Sequence, residues 1–381
     1  MTTHPRVKGT CLCLFAHDLA LAIDLDHAER IVAGRAENTG QRELIRHTRR
    51  APQYFQFKPS PLRITSPGKS FEVGGCQTLA SVDAVVYDFG AVSITYAVPF
   101  EGTLVDLMEL SSEMYVHAAL QADSRLRAEA MLETLTPALR KPELSALVED
   151  YYIFLLEPVA DVAGFLMEHR RMLAQILRAE KAPLSAQQVD EAMESHMSYG
   201  MQDAAIIDWH AAILIDADPQ DAHMALEFAN VELLEMRHLD DRLDVALDDV
   251  HELLERDVKG GAGGGLVEYW KRRSWPFRPF TRPFAVDLRR VSQLQMESSM
   301  LFEGVNNALK LLGDQYLAKV YRDAARRLHL PEWDASILRK LGALESIYEK
   351  LADRQTNRRM EVLEWIIIGL IGFEIVMSLV S

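Results

Sequence analysis

The apolar positions of this chain change their period part-way along it. Up to about Pro158 they fall in short β-rich runs broken by Pro and Gly, and from about Val159 they recur at helical spacing to the C-terminus. Thr10–Ala16 reads as a strand and Asp26–Ala36 as a helix. Residues 48–70 hold Pro52, Pro59, Pro61 and Pro67, which favours loops and short edge strands. The clearest element is Asp83–Val98, two β-rich runs meeting around Asp88-Phe89-Gly90, which predicts a hairpin. Pro99 and Gly102 then hand over to a helix, and Asp150–Leu156 is expected to be the last strand of the sheet. Residues 1–158 are thus predicted to form an α+β domain with mixed strands and helices.

The helical region, 159–256, is expected to begin with shorter helices, residues 187–216 forming one or two. A long helix over about 222–256 follows. In it Ala229, Leu233, Met236, Asp240, Leu243, Leu247, Val250 and Leu254 keep a 4-3 spacing, and only Asp240 interrupts the apolar row. That is a coiled-coil-like seam, in which one polar member fixes register. Glu232, Glu235, Asp241, Asp244, Asp248, Asp249, Glu252 and Glu255 are assigned to the outer faces.

A linker over 257–284 separates this helix from the next. Its glycines, from Gly260 to Gly265, lack a Walker Lys-Ser/Thr, so they read as a joint rather than a phosphate loop. Its second half alternates aromatics, arginines and prolines: Trp270, Arg272, Arg273, Trp275, Arg278 and Arg282. Two further helices with 4-3 spacing, over 285–364, are expected to pack antiparallel about a turn at His329–Asp334, with Asp334 as N-cap. They would bring the basic–aromatic loop level with the C-terminal segment. Arg358 and Arg359 lie just before that segment, which runs from Trp365 to Ser381 and is apolar apart from Glu374 and two serines. Trp, Lys and Arg at that level suit the cytoplasmic face of an anionic bilayer. A tail-anchored transmembrane helix is therefore expected, with the N-terminal domains in the cytoplasm. The segment is short, about 25 Å against a hydrocarbon core of about 30 Å. Glu374 is also costly in lipid. Both facts admit a second reading, a buried helix in the core of a soluble oligomer. RNA contact by the arginines and aromatics is the rival reading of the loop.

Composition narrows the function classes. The 381 residues allow about two or three domains. A net charge of -15 argues against a protein coated in nucleic acid. Cys11, Cys13 and Cys76 are too few and too odd in number for a disulfide framework, and free thiols are expected. Cys11 and Cys13 share one face if they lie on a strand. The apolar stretch Cys11–Ala16 is too short for a signal peptide and runs into His17-Asp18.

The C-terminal run Arg358–Ile368, followed by Leu370-Ile371 and Phe373-Glu374-Ile375, resembles the ending of the required-for-meiotic-nuclear-division family. Glu364 falls in its Leu-Glu-Trp-Ile-Ile-Ile motif. Tyr87 and Gly90 in Val85–Val92 resemble its Phe-x-Tyr-Gly-Val-Val signature. Glu235 and Arg242, with Leu243, Asp244 and Val245, resemble its Leu-Glu and Arg-Leu-Asp-Val helix. The resemblance implies a divergent, bacterial member of a family built on a domain of unknown function. Its mitochondrial members are membrane-associated, form large complexes and support organellar translation. It carries over no catalytic residue.

Enzymatic motifs do not appear. Asp88-Phe89-Gly90 lacks the other kinase loops. Asp240, Asp241, Asp244 and Asp248 fit a solvated acidic face, and the histidines form no His-Glu-x-x-His pair. No cofactor or metal is expected. The first expectation is a non-enzymatic, membrane-associated scaffold that oligomerises with copies of itself through its helices. A soluble oligomeric ligand-binding protein or enzyme with a buried C-terminal helix is the first alternative, and an RNA-contacting factor the second.

Overall fold

A computed structural model of the protein describes residues 5–38, 46–49, 59–262, 294–296, 298–299, 315–347 and 349–350. The chain divides into two compact units, Met1–His238 with Met300–Trp333 and Leu239–Ser299 with Asp334–Ser381.

The fold is α+β. The first unit is built on a nine-stranded sheet. Its central strand, β1 (Arg6–Asp18), pairs antiparallel with β8 (Ala91–Thr103) on one side and β10 (Val148–Leu156) on the other. Beyond β8 lie β7 (Ser81–Val86), β4 (Leu62–Pro67) and β3 (Arg46–Arg49). Beyond β10 lie β13 (Ala211–Ile215), β12 (Ala204–Ile207) and β11 (His196–Met197). Short pairs are made by β2 (Ala20–Ile23) with β9 (Leu139–Pro142) and by β5 (Glu72–Val73) with β6 (Cys76–Gln77). The hairpin expected around Asp88-Phe89-Gly90 is the β7–β8 connection. Gly90 has φ +116°, and a Cβ there would sit 1.7 Å from the Ala20 carbonyl oxygen, so the turn requires glycine.

Both faces of the sheet are covered, which is why residues 11–20 are buried without alternation. Val7, Cys11, Cys13 and Phe15 share one core with Leu107 and Leu110 of α2 (Leu104–Tyr115), Leu120 of α3 (Ala118–Leu135) and Leu173 of α5 (Arg170–Leu177). α1 (Leu25–Asn38), α4 (Val162–Glu168) and α6 (Ala186–Ala192) complete that layer. The helix expected after Pro99 and Gly102 is α2, which begins at Leu104. β8 runs on to Thr103, whose hydroxyl and the Asp106 carboxylate form a capping box.

The other face carries the part of α7 (Gln220–Ala262) up to His238, and α8 (Gln315–Arg327). Thr95 of β8 donates to Glu227 of α7 at 3.3 Å, and Asn230 donates to the Glu149 carbonyl at 3.3 Å. Tyr321 of α8 hydrogen-bonds Glu232. Glu232 is only 2% exposed, so its assignment to an outer face is corrected: two layers enclose this part of α7.

Residues 187–216 are also corrected. α6 is followed by three strands, and β13 pairs parallel with β10. Asp150–Leu156 is therefore not the last strand. The runs Ala204–Ile207 and Ala211–Ile215 are buried on both faces and give no alternation that would mark them as strands. The turn expected at His329–Asp334 is shorter than predicted. His329 takes φ +56°, residues 330–347 are helical, and Asp334 lies inside that helix rather than capping it. Pro331 fits the first turn, where a missing N–H costs nothing.

In the second unit, Asp240 of the α7 seam is paired within the chain, with Lys340 Nζ 2.8 Å from its carboxylate and 2.5 Å from that of Asp244. Leu243, Ile337 and Leu344 are fully buried in this unit.

Among the described residues no helix is long and apolar enough to cross a membrane. That corrects the expected transmembrane tail anchor. α7 has the length, but charged side chains recur all along it. The segment 365–381, on which the expectation fell, lies outside the described residues.

Candidate functional site

A cavity of about 210 Å³ opens between α1, α3 and the β4–β7–β8 part of the sheet. Its floor is a cross-strand row: Ile64 pairs with Ala84, and Ala84 pairs with Ile94. Ser66 and Val82 form the next row on the same face, two residues along each strand. One wall is a stripe of α3, Arg127, Ala130, Met131, Thr134 and Leu135, and the other is Val32 and Arg35, one turn apart on α1. The cavity exists because Ala84 in the floor and Ala130 in the wall are small where larger apolar side chains would fill the gap.

Its polar groups form two pairs seven residues apart on α3, Arg35 with Thr134 and Arg127 with Ser66. Arg35 is exposed and hydrogen-bonds the Thr134 hydroxyl, which itself donates to the Ala130 carbonyl at 2.7 Å. Arg127 Nε lies 2.6 Å from Asp123 Oδ2, and Arg127 also donates to Ser66 Oγ at 3.3 Å. Buried Tyr96 donates to the same Asp123 oxygen at 2.7 Å, fixing it from below. Among the described residues no Cys, His, Asp or Glu lines the cavity.

A second constellation deserves comparison because its residue types are those of a hydrolase. Ser145 Oγ lies 3.2 Å from His238 Nδ1, and His238 Nε2 lies 3.2 Å from Asp18 Oδ2. Nucleophile, base and orienting acid are thus in line. The surroundings make it a clasp. Ser145 is 8% exposed, and its Oγ accepts the Leu147 N–H at 3.1 Å. Its N–H donates to the Asp18 carbonyl at 3.1 Å, and its own carbonyl accepts from Arg125. Ser145 is held on all sides and serves to join β1, the loop before β10 and α7.

The core nearby holds buried ionisable groups. His17, with Nε2 3.1 Å from Ser124 Oγ, is pushed down to about 4 by burial and by Arg125. Glu149, beside Arg237, is pushed up to about 6, because burial outweighs the pull of the guanidinium. Among the described residues no group of three or more His, Cys, Asp or Glu side chains is placed to hold a metal ion.

Of the residues singled out from sequence, Tyr87, Gly90, Glu235 and Arg242 are described. Tyr87 is buried, stacks on Phe89 at 5.3 Å and packs against Phe228 of α7 at 6.1 Å. Gly90 makes the hairpin turn, while Glu235 and Arg242 lie half-buried on α7. None of the four lines the cavity. Trp270, Arg272, Arg273, Trp275, Arg278, Arg282, Arg358, Arg359, Glu364, Trp365 and Glu374 lie outside the described residues. Sequence reasoning missed the cavity because its lining comes from five separate elements. The one available signal was Ala84, a small residue between the larger apolar side chains of the β4–β8 face.

The site and fold define an α+β domain with a small, mostly apolar cavity. The chain belongs to the family described as uncharacterized protein MJ0711, N-terminal domain, which it matches over residues 8–222. It is 22% identical over 257 residues to uncharacterized protein MJ0711 of Methanocaldococcus jannaschii, covering 66% of this chain and 72% of that protein. No solved structure matches it. This membership overturns the resemblance to the required-for-meiotic-nuclear-division family. Of the Tyr87–Gly90 likeness, the glycine is required by the hairpin turn itself.

Proposed function

We propose that this protein is a ligand-binding protein whose N-terminal α+β domain takes a small, mostly apolar molecule into the cavity between α1, α3 and the sheet. The observation that carries the reading is the cavity itself, about 210 Å³ and lined mostly by apolar side chains. Every lining residue falls within 32–135, inside the stretch matched by the family. This favours the ligand-binding alternative over a scaffold acting through the helical seam, whose Asp240 is already engaged by Lys340 of the same chain.

The test is thermal unfolding of the full chain with and without benzyl alcohol or hexanol. Wild type should gain several degrees at saturating probe, since a ligand that binds only the folded state raises its stability. Ala84→Leu, which projects side-chain carbons into the cavity, should remain folded and lose the gain. A wild-type protein whose melting temperature does not rise with either probe would sink the reading.

A further inference from the structure

Resting on that ligand-binding reading, we infer that the ligand is an aliphatic chain of up to about eight carbon atoms, held by the chain and selected by its length. Volume sets the limit. An apolar protein cavity of about 150 Å³ takes up benzene, with six carbon atoms. The cavity here is about 210 Å³, which on the same scale holds about eight carbons. Nucleotides, coenzymes and long-chain lipids exceed it, since drug-sized ligands already need about 300–1,000 Å³. Shape sets the form. The α3 wall from Arg127 to Leu135 runs through about two helical turns, about 12 Å. The volume of roughly seven water molecules spread over that length is fewer than two abreast. Such a slot admits one extended chain more readily than a branched or fused-ring body.

The slot has a closed side and an open one. Ile94 is 0% exposed and Leu135 1%, whereas Arg35 and Ala130 are exposed. The polar side chains of the lining are bonded within the protein. Arg35 donates to Thr134, and Thr134 donates to the Ala130 carbonyl at 2.7 Å. Arg127 pairs with Asp123 at 2.6 Å and reaches Ser66 at 3.3 Å. These bonds tie α1, α3 and β4 together around the slot. The ligand is then left with apolar contact to Val32, Ile64, Val82, Ala84, Ile94 and Met131. Each methylene that finds room there raises affinity about fourfold, and the first that does not adds almost nothing. Ala84 sets the depth of the floor, because the larger Ile64 and Ile94 flank it in the same cross-strand row.

The experiment is calorimetric titration of the full chain with the straight-chain 1-alkanols from butanol to decanol, whose hydroxyl stays with water at the open side. On wild type, affinity should rise about fourfold per carbon up to about eight carbons and less than about 1.5-fold per carbon beyond. In Ala84→Val, which adds two carbon atoms to the floor, the break should fall to about six carbons. In Ile64→Val, which removes one, it should rise to about nine, and this milder variant decides the point if A84V does not fold. Affinity that climbs evenly to decanol overturns the length limit and leaves the cavity reading standing. A break that stays at the wild-type length in the folded variants overturns the assignment of the limit to this cavity. If no alkanol binds wild type, the inference and the reading beneath it both fall.

Discussion

Asp18, the last residue of β1, holds His238 of α7 at 3.2 Å, and the other nitrogen of the same imidazole meets Ser145. Three elements far apart in sequence are joined through one ring. Because Ser145 is enclosed, its removal should register in stability and not in chemistry. Ser145→Ala is expected to cost about 1–3 kcal/mol, since Leu147 N–H and the imidazole both lose a buried partner. Denaturant unfolding measures the cost. A fluorophosphonate should leave Ser145 unlabelled in the native protein, and rapid labelling there would refute the clasp.

The buried histidine gives the fold a defined acid sensitivity. His17 has a folded pKa of about 4 against about 6.5 when exposed in the unfolded chain. Below pH 6.5 the unfolded chain takes up a proton that the folded one refuses. Stability is therefore lost as pH falls from about 6.5 to about 4, by up to about 3 kcal/mol, and levels off below. Glu149 acts with the opposite sign. Its folded pKa of about 6 exceeds the usual 4.5, so its contribution is full below 4.5 and is lost as pH rises through 6. The His17 loss is therefore partly masked between pH 4.5 and 6. Urea midpoints at pH 7, 5.5 and 4.5 should show a shallower acid decline in His17→Gln. An unchanged slope would mean that His17 is not the group responsible.

Gly90 and Gly75 both have positive φ, at +116° and +76°, but differ in the space around them. At Gly90 an added Cβ meets the Ala20 backbone, whereas at Gly75 nothing lies within 4 Å. Gly90→Ala should cost well over 2 kcal/mol or prevent folding, and Gly75→Ala only about 1 kcal/mol. Equal melting temperatures for the two variants would contradict the hairpin geometry.

In the second unit the apolar and ionic parts of the seam should separate cleanly. Ile337 is 0% exposed, so Ile337→Ala is expected to cost about 2–4 kcal/mol. Lys340 is 21% exposed, and its partners Asp244 and Asp240 are 56% and 15% exposed. Partial solvent screening should hold Lys340→Met to about 1–2 kcal/mol. Chemical denaturation of the two variants distinguishes them, and a larger loss from K340M would reverse this ranking.

The parts of the fold legible in the sequence are those whose pattern is local. Val85–Val86 and Val92–Thr95 flank a glycine turn, and their β-branched runs mark a hairpin before any contact is known. Residues 204–215 were not legible, because Ile206–Ile207 and Ile213–Ile215 are covered on both faces and carry no alternation. Helix and buried strand then look alike, and only the pairing of β13 with β10 separates them. The cavity was invisible for a different reason. It is an absence of side chain between Ala84 and Ala130, created by register and helix placement and by no motif. The Asp18–Ser145–His238 clasp was hidden in the same way, its members more than ninety residues apart along each step.

The buried face of α7 carries polar side chains as well as apolar ones. Glu227 meets Thr95, Asn230 meets the Glu149 carbonyl, and Glu232 meets Tyr321. A greasy helix can slip along a greasy sheet at little cost. Here a slip of one turn, about 5.4 Å, would strand two carboxylates in the core without partners. The helix accordingly has a single seat on the sheet, keyed by groups that add little to stability but make every neighbouring position prohibitive.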